Sequence, residues 1–159
     1  MQEEQYIHIN KEGDKIYYKD KEMTIRHHRD GPAVEDADGG KAWYVDGKLH
    51  RLDGPAIEGT LVEGAGGYEA WYVDNKRHRL DGPAVEGAGG YKAWWVDNKR
   101  HRLDGPAVEY VHGNKQWFVD GKELTEEHFN ALSKLPSELT LEDIAAKLGV
   151  DVSKVKIVK

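Results

Sequence analysis

Residues 94–109, WWVDNKRHRLDGPAVE, repeat residues 71–86, WYVDNKRHRLDGPAVE, with a single substitution. A further copy, WYVDGKLHRLDGPAIE, occupies residues 43–58, and residues 117–122, WFVDGK, begin another that breaks off. Such self-similarity is typical of a repeat array, in which each unit is one supersecondary element that buries its apolar surface against its neighbours. The sequence therefore predicts stacked copies of one small unit.

The period of the array is 23 residues in its regular part. Trp71, Trp94 and Trp117 are 23 residues apart, whereas Trp43 precedes Trp71 by 28. The five additional residues fall in a Gly-rich link at 59–67, and insertions confined to one kind of link are expected of repeats. A degenerate first unit covers about residues 15–35, so the copies at 43–58, 71–86 and 94–109 are the second, third and fourth units.

Each unit has the pattern of a β-hairpin. Residues 43–45, WYV, are aromatic and β-branched, as strands favour, and residues 46–47, DG, supply the positive φ angles of a two-residue turn. Such a turn pairs residues 43–45 with residues 48–50 in reverse order. Residues 53–55, DGP, then force a bend, because proline fixes φ and donates no hydrogen bond. A second, Gly-rich turn returns the chain to the next tryptophan, which predicts a meander.

The same register places an arginine opposite an aromatic ring in two units. Tyr72 is predicted to face Arg77, and Trp95 to face Arg100. Both are candidate cation–π pairs.

The fold class that follows is mainly β: an elongated antiparallel sheet of hairpin repeats with a short α-helical C-terminal tail. Period-two alternation places Trp43 and Val45 on one face, and Ala42 and Tyr44 on the other. We expect the tryptophan and valine face to be the core. Its predicted members are Trp43, Trp71, Trp94, Trp117, Val45, Val73, Val96 and Val119.

The tryptophan, the Gly-Lys or Asn-Lys pair, the histidine and the period of 23 residues together resemble MORN repeats, over about residues 15–122. The His-Arg-x-Asp-Gly-Pro-Ala ending departs from the shorter ending of that family. It is more similar to MORN-like arrays of uncharacterised tailed-bacteriophage proteins. The resemblance implies a hairpin array that serves as a scaffold or binding surface. It also implies a bacteriophage origin.

The chain divides into a repeat array at 1–122 and a helical tail or cap at 123–159. Thr125 opens a predicted helix through Lys134, and a second is predicted from Leu141 to Leu148 with Gly149 as its C-terminal cap. Residues 155–158 alternate like a short strand. Residues 139–155 also resemble the first half of a helix-turn-helix, but the second helix would be too short for a major groove. We expect a capping role for the tail.

Composition narrows the class of protein and its location. The formal charge of −6 argues against nucleic acid as a partner, and the chain contains no cysteine. The charged fraction of 33% would suggest disorder, but the aromatic residues are periodic and therefore serve to bury surface. The acidic start, MQEE, with no apolar run behind it, predicts no targeting signal and no membrane partner. A cytoplasmic location follows, which would be the host cytoplasm for a phage protein.

Rows of arginines beside aromatic rings are the candidate ligand-binding residues. A guanidinium binds phosphate while a ring stacks on a base, so such a surface suits a nucleotide-like small anion. The competing interpretation is structural, since Arg51 and Asp53 can pair within a unit. Swapping the two charges should then partly restore the stability that loss of the arginine removes. The candidates are Arg51, Arg79, Arg102, Arg77, Arg100, Tyr44, Tyr72 and Trp95.

Metal and catalytic sites are not expected. Successive histidines of the row His50, His78 and His101 are about 9–10 Å apart across two strands, which is too far for a shared metal ion. The only serines, Ser133, Ser137 and Ser153, lie in the tail, away from the repeat histidines. No cofactor is predicted.

Three functions from different classes therefore remain. The first is a non-catalytic scaffold that engages a partner protein, or a second copy of itself, through the sheet. The second is a phage-type sponge that sequesters an anionic nucleotide-like signalling molecule. A hydrolase built on one specialised copy is the third.

Overall fold

The computed structural model describes residues 4–59, 67–133, 145–146 and 149. Within them, eleven strands form one antiparallel sheet, and each strand pairs with the next sheet strand along the chain. In spatial order these are β1 (Tyr6–Ile9), β2 (Lys15–Tyr18), β3 (Val34–Glu35), β4 (Lys41–Ala42), β7 (Ile57–Gly59), β8 (Tyr68–Ala70), β11 (Val85–Gly87), β12 (Tyr91–Ala93), β15 (Val108–Glu109), β16 (Lys115–Val119) and β17 (Lys122–Leu124). The predicted mainly β fold is confirmed.

Three separate two-stranded hairpins leave this sheet, one per regular unit. They are β5 (Tyr44–Val45) with β6 (Lys48–Leu49), β9 (Tyr72–Val73) with β10 (Lys76–Arg77), and β13 (Trp95–Val96) with β14 (Lys99–Arg100). Each unit therefore contributes strands to two rows, the sheet and the hairpins, rather than to one continuous sheet. The chain leaves the sheet at the repeat tryptophan, which lies between β8 and β9 in the third unit.

The predicted hairpin register is confirmed in all three units. Tyr72 pairs with Arg77, and Trp95 pairs with Arg100. The turn residues take positive φ, for example Asp74 at 49° and Asn75 at 64°, as a two-residue turn requires.

Successive hairpins are joined by backbone hydrogen bonds. The amide N of Arg79 donates to the carbonyl O of Trp95 in the next unit, at 3.1 Å. The Asn75 amide donates back to the Leu49 carbonyl at 2.9 Å, and Asn75 Oδ1 accepts from the Leu49 amide at 2.7 Å. Asparagine in the turn thus links two units, which a glycine side chain cannot do. The hairpins form a row that runs beside the sheet.

The two faces of the sheet differ in chemistry because side chains alternate along each strand. One row across the sheet is apolar and ends at Gln116: Val34, Ala42, Ile57, Ala70, Val85, Ala93, Val108 and Gln116. The adjacent row, on the opposite face, is charged throughout: Glu35, Lys41, Glu58, Glu69, Glu86, Lys92, Glu109 and Lys115. The core therefore lies on one face only.

The core lies between the apolar face and the hairpin row. Its buried members in the regular units are Ala70, Val85, Ala93, Ala107, Val108 and Phe118, and Tyr68, Tyr72, Tyr91 and Trp95 pack against them. The three alanines of this core, Ala70, Ala93 and Ala107, are fully buried, which lets the hairpins approach the sheet closely.

The prediction that the tryptophan and valine stripe is the core was wrong. Val45 is 40% exposed, and the other predicted members are partly exposed: Trp43, Trp71, Trp94, Trp117, Val73, Val96 and Val119. The alternation on which the prediction relied is interrupted at Trp43, Trp71 and Trp94, because the strand of the sheet ends before each of them and the hairpin strand begins after it. Alanine and tyrosine on the opposite side supply the core instead.

The tail begins as predicted. Helix α1 spans Glu126–Ser133, and the Thr125 hydroxyl accepts a hydrogen bond from the His128 amide at 3.2 Å, as an N-cap does. Phe129 on this helix is buried. Strand β17 extends to Leu124, so the sheet passes the predicted boundary at residue 122. Gly149 takes φ +60° and donates to the Ala146 carbonyl, as a C-terminal cap does.

The rest of the predicted second helix, the helix-turn-helix half and the strand at 155–158 lie outside the described residues. In the part of the chain that the structure describes, no helix has the length and apolar character needed to cross a bilayer.

Candidate binding surfaces

A tryptophan ring lies under an arginine guanidinium in each regular unit. The Cζ atom of Arg79 is 4.0 Å from the centroid of Trp71. The same group donates to Asp81 Oδ1 at 2.8 Å, to the Pro83 carbonyl at 3.2 Å and to Glu86 Oε1 at 3.2 Å. Arg51 on Trp43 and Arg102 on Trp94 repeat this arrangement at 3.9 Å and 3.8 Å. We call these contacts the Arg–Trp stacks.

A glycine closes the other side of each guanidinium. A Cβ atom added at Gly82 would lie 2.9 Å from Arg79 Cζ, and one at Gly54 would lie 2.9 Å from Arg51 Cζ. The glycine of the repeated Asp-Gly-Pro is therefore required by close packing against a flat group. The sequence suggested only a bend at this point.

The degenerate first unit keeps the same construction with other residues. Tyr17 and His28 stack with ring centroids 4.2 Å apart and planes 5° from parallel. His28 Nδ1 donates to the Pro32 carbonyl at 2.9 Å, as the arginine does elsewhere. A Cβ at Gly31 would lie 3.1 Å from the imidazole. A flat polar side chain between a ring and a glycine is thus common to all four units.

These contacts favour a structural role for Arg51, Arg79 and Arg102. Each guanidinium serves two carboxylates, one carbonyl and one ring, so its donors are directed into the unit itself. The Arg51 guanidinium lowers the pKa of Asp53, mainly through its hydrogen bond, as that of Arg79 does for Asp81. The predicted pairing of Arg51 with Asp53 is confirmed.

A second row of arginines has different surroundings. Arg77 Cζ lies 5.6 Å from the Tyr72 ring and 5.2 Å from the Trp95 ring. Arg100 Cζ lies 5.4 Å from the Trp95 ring and 5.0 Å from the Phe118 ring. Both predicted cation–π pairs are present, and each arginine also reaches the next unit. Tyr72, Arg77, Trp95, Arg100 and Phe118 form what we call the aromatic–guanidinium ladder.

The ladder contains two guanidinium groups, three aromatic rings and no carboxylate side chain. Among the ion pairs of the described residues, none includes Arg77 or Arg100. Three buried nitrogen atoms have no hydrogen-bond partner there: Arg77 Nε, Arg100 Nε and Trp95 Nε1. Burial raises the pKa of Tyr72, and the charge of Arg77 partly offsets this shift. Burial also raises the pKa of Tyr91, and the charge of Arg100 partly offsets it.

Sequence reasoning missed Tyr68 and Tyr91, which belong to this cluster. They lie in the sheet on the same face as Ala70 and Ala93 and pack against the core beside Tyr72 and Trp95. The signal was present, because a tyrosine stands three residues before both Trp71 and Trp94. Tyr44, which the sequence placed in the same row, lies under Arg26 of the first unit, with Cζ 5.5 Å from its ring.

The histidine row links neighbouring units. The backbone amide of Asp97 donates to His78 Nδ1 at 3.4 Å, and that of Asp120 donates to His101 Nδ1 at 3.0 Å. In the described residues no group of three or more His, Asp or Glu side chains is arranged to hold a metal ion.

We expect His101 to make stability depend on pH. Burial lowers its pKa below the ordinary value of 6.5, while Asp120 opposes and Lys99 adds to the shift. As pH falls below about 6.5, the unfolded chain takes up the proton first, so the free energy of unfolding should decrease there and be constant above it. His101→Asn should reduce this decrease in urea titrations at pH 7.5 and 5.5.

The control for this measurement is His8→Asn, because His8 is exposed on strand β1. It should keep the wild-type pH dependence. An unchanged dependence in His101→Asn would show that His101 is not its source.

An exposed leucine recurs beside the Arg–Trp stacks. Leu52, Leu80 and Leu103 are 81%, 62% and 52% exposed. The aspartates that follow them, Asp53, Asp81 and Asp104, have 82–85% of their side-chain surface exposed. We call the three leucines the Leu ridge. In the first unit the equivalent position is Arg29, so the ridge spans three units.

Comparisons with protein-family models, with curated proteins and with solved structures find no match to this chain. The MORN-like and bacteriophage resemblance therefore stays a prediction.

Proposed function

We propose that this chain is a non-catalytic binding or scaffold protein that engages a partner protein through the Leu ridge and the acidic residues beside it. The observation that carries the proposal is the exposure of the repeated leucines. A residue repeated in every copy of an array usually serves the packing of the unit. Leu52, Leu80 and Leu103 are repeated but exposed, so packing within the array does not account for them. An apolar row of this kind is typical of a contact surface.

The charges beside the ridge indicate the chemistry of the partner. In each regular unit one arginine is shared by two carboxylates, for example Arg79 by Asp81 and Glu86. Each stack therefore carries net negative charge next to an apolar side chain. The partner that fits is a protein surface with an apolar strip flanked by lysines or arginines, since complementary charge favours association and fixes orientation.

The test is a substitution that changes the ridge and leaves the fold intact. Leu52→Ser, Leu80→Ser and Leu103→Ser together should leave the free energy of unfolding within about 0.5 kcal/mol per site, because exposed positions contribute little to stability. The triple variant should lose the proteins that cross-link to the wild type in cell extract. Binding should then be measured by calorimetry with the purified partner.

The matched control is Val111→Ser, because Val111 is 52% exposed, as Leu103 is, but lies outside the ridge. It should retain every cross-linked protein. Equal capture by the triple variant and the wild type would contradict the proposal. Analytical ultracentrifugation of both proteins decides whether the partner is a second copy of the chain.

The sponge remains a second candidate in a narrower form. Arg51, Arg79 and Arg102 form their ion pairs within their own units, which argues against them as the ligand-binding arginines. Arg77 and Arg100, which lack carboxylate partners among the described residues, are the ones that keep an anion site open. A cytoplasmic location and a phage origin stay predictions, and the hydrolase has no further support.

A further inference from the structure

We propose that the aromatic–guanidinium ladder and the tyrosines beside it form a binding site for a phosphate-class oxyanion. The site consists of Arg77 and Arg100 with Tyr68, Tyr72 and Tyr91. This inference does not rest on the partner-binding role of the Leu ridge, which uses other residues.

The first argument is the contrast between the two arginine rows. The arginines of the stacks each have two carboxylates and a carbonyl as acceptors. Arg77 and Arg100 have two aromatic rings each and no carboxylate in the described part of the chain. The Cζ atoms of both arginines lie within 5.4 Å of the Trp95 ring centroid. A guanidinium has five N–H donors and keeps its charge at neutral pH, so two of them along this row attract an anion.

The second argument is the unsatisfied hydrogen-bonding capacity. Arg77 Nε and Arg100 Nε are buried without a partner. A buried donor that bonds neither protein nor water is costly, so such atoms are rare and point to a missing acceptor. The neighbouring tyrosines have an ordinary pKa of 10, which burial raises further at Tyr72 and Tyr91, so their hydroxyls are neutral at physiological pH. Each hydroxyl carries one O–H donor, and that of Tyr72 is hydrogen-bonded to Arg77 and Tyr68.

The third argument concerns which anion fits. The rings of Tyr72, Trp95 and Phe118 already carry guanidinium groups. A nucleobase that stacked on a ring face already covered by a guanidinium would have to displace it, which disfavours the base-stacking arrangement predicted from the sequence. A compact oxyanion needs only the donors at the edges of the guanidinium groups. Phosphate suits these because it accepts paired N–H bonds.

The pair is specific to the third and fourth units. The equivalent position is Leu49 in the second unit and Glu123 after Phe118. In the first unit Arg26 occupies it alone over Tyr44. Arginine therefore occupies this position in two successive units at one place in the array, which provides a matched single-arginine control within the same chain.

The test uses pyrophosphate and the full-length chain. Thermal unfolding in saturating pyrophosphate, compared with sodium chloride at equal ionic strength, should show a rise in Tm of about 5 °C. Arg77→Gln and Arg100→Gln should each abolish most of this rise, while Arg26→Gln should keep it. A Tm in pyrophosphate no higher than that in sodium chloride would contradict the proposed site. So would a rise in Tm that both site variants retain.

A second measurement does not depend on the folding of any variant. In ¹⁵N-resolved spectra of the wild type, the Nε–H signals of Arg77 and Arg100 should shift on titration with pyrophosphate, and those of Arg51, Arg79 and Arg102 should not. Uniform shifts of all five would contradict a local site. Phenyl phosphate, titrated in parallel, distinguishes the source: a response assigns the site to phosphate esters, and a response to pyrophosphate alone assigns it to free phosphates.

Discussion

Arg79→Ala should lower the free energy of unfolding by about 3 kcal/mol, measured by urea denaturation at pH 7. The substitution removes the guanidinium from the Trp71 ring and leaves the Pro83 carbonyl without its donor. It also removes a cation paired with Glu86, which lies across from Lys92 on one side and from Glu69, a like charge that repels it, on the other. These losses occur at one point, in the middle of the array.

Two variants separate geometry from charge. Lys76→Ala, in the same unit at an exposed position, should change stability by less than about 0.5 kcal/mol. The charge swap Arg79→Asp with Asp81→Arg should not restore stability, although the sequence suggested that it would in part. Position 81 is 84% exposed in its side chain and lies outside the slot between Trp71 and Gly82. Recovery on swapping would show that charge rather than stacking holds the unit.

Gly59→Ala should be comparably destabilising, by about 3 kcal/mol, for a backbone reason. Gly59 has φ +100°, which an alanine adopts only with strain, and its added Cβ would lie 2.9 Å from Gly40 Cα. Both partners of that contact are backbone, at the pairing of β4 with β7. Neither strand can move aside without breaking the ladder of hydrogen bonds.

Gly90→Ala is the matched control, because Gly90 has φ +98° and open space where the Cβ would stand. It should cost only the conformational strain, about 1–2 kcal/mol. The difference between the two variants in chemical denaturation isolates the close approach of the strands. Equal effects would mean that φ alone explains the glycine at position 59.

The fold was predictable because its signals are local and repeated. Asp-Gly and Asp-Asn specify the hairpin turn, and the turn fixes the register that places Arg77 opposite Tyr72. The core face was not predictable from alternation, because the chain changes from one row to the other at the tryptophan. Nothing local in residues 41–45 marks that change.

The candidate sites were predicted only in part. The sequence identified both arginine rows but not which of them is paired with carboxylates. The pairing of Arg79 depends on Glu86, which is seven residues away and follows a bend in the chain. Tyr68 and Tyr91 join Arg77 and Arg100 only through packing of the sheet against the hairpins. Likewise, the exposure of Leu80 contradicts what its hydrophobicity alone suggests.

The neighbour-to-neighbour linkage of the hairpins makes the array a molecular ruler. Among the described residues, each unit is bonded only to the ones beside it. The five-residue insertion between the second and third units leaves their strand pairing unchanged, since Ile57 pairs with Ala70 as Val85 pairs with Ala93. Duplicating residues 71–93 should therefore extend the protein by two strands, about 9.6 Å, and add one more leucine at the same interval. The reach of this surface is thus set by copy number, which gene duplication can change in whole steps.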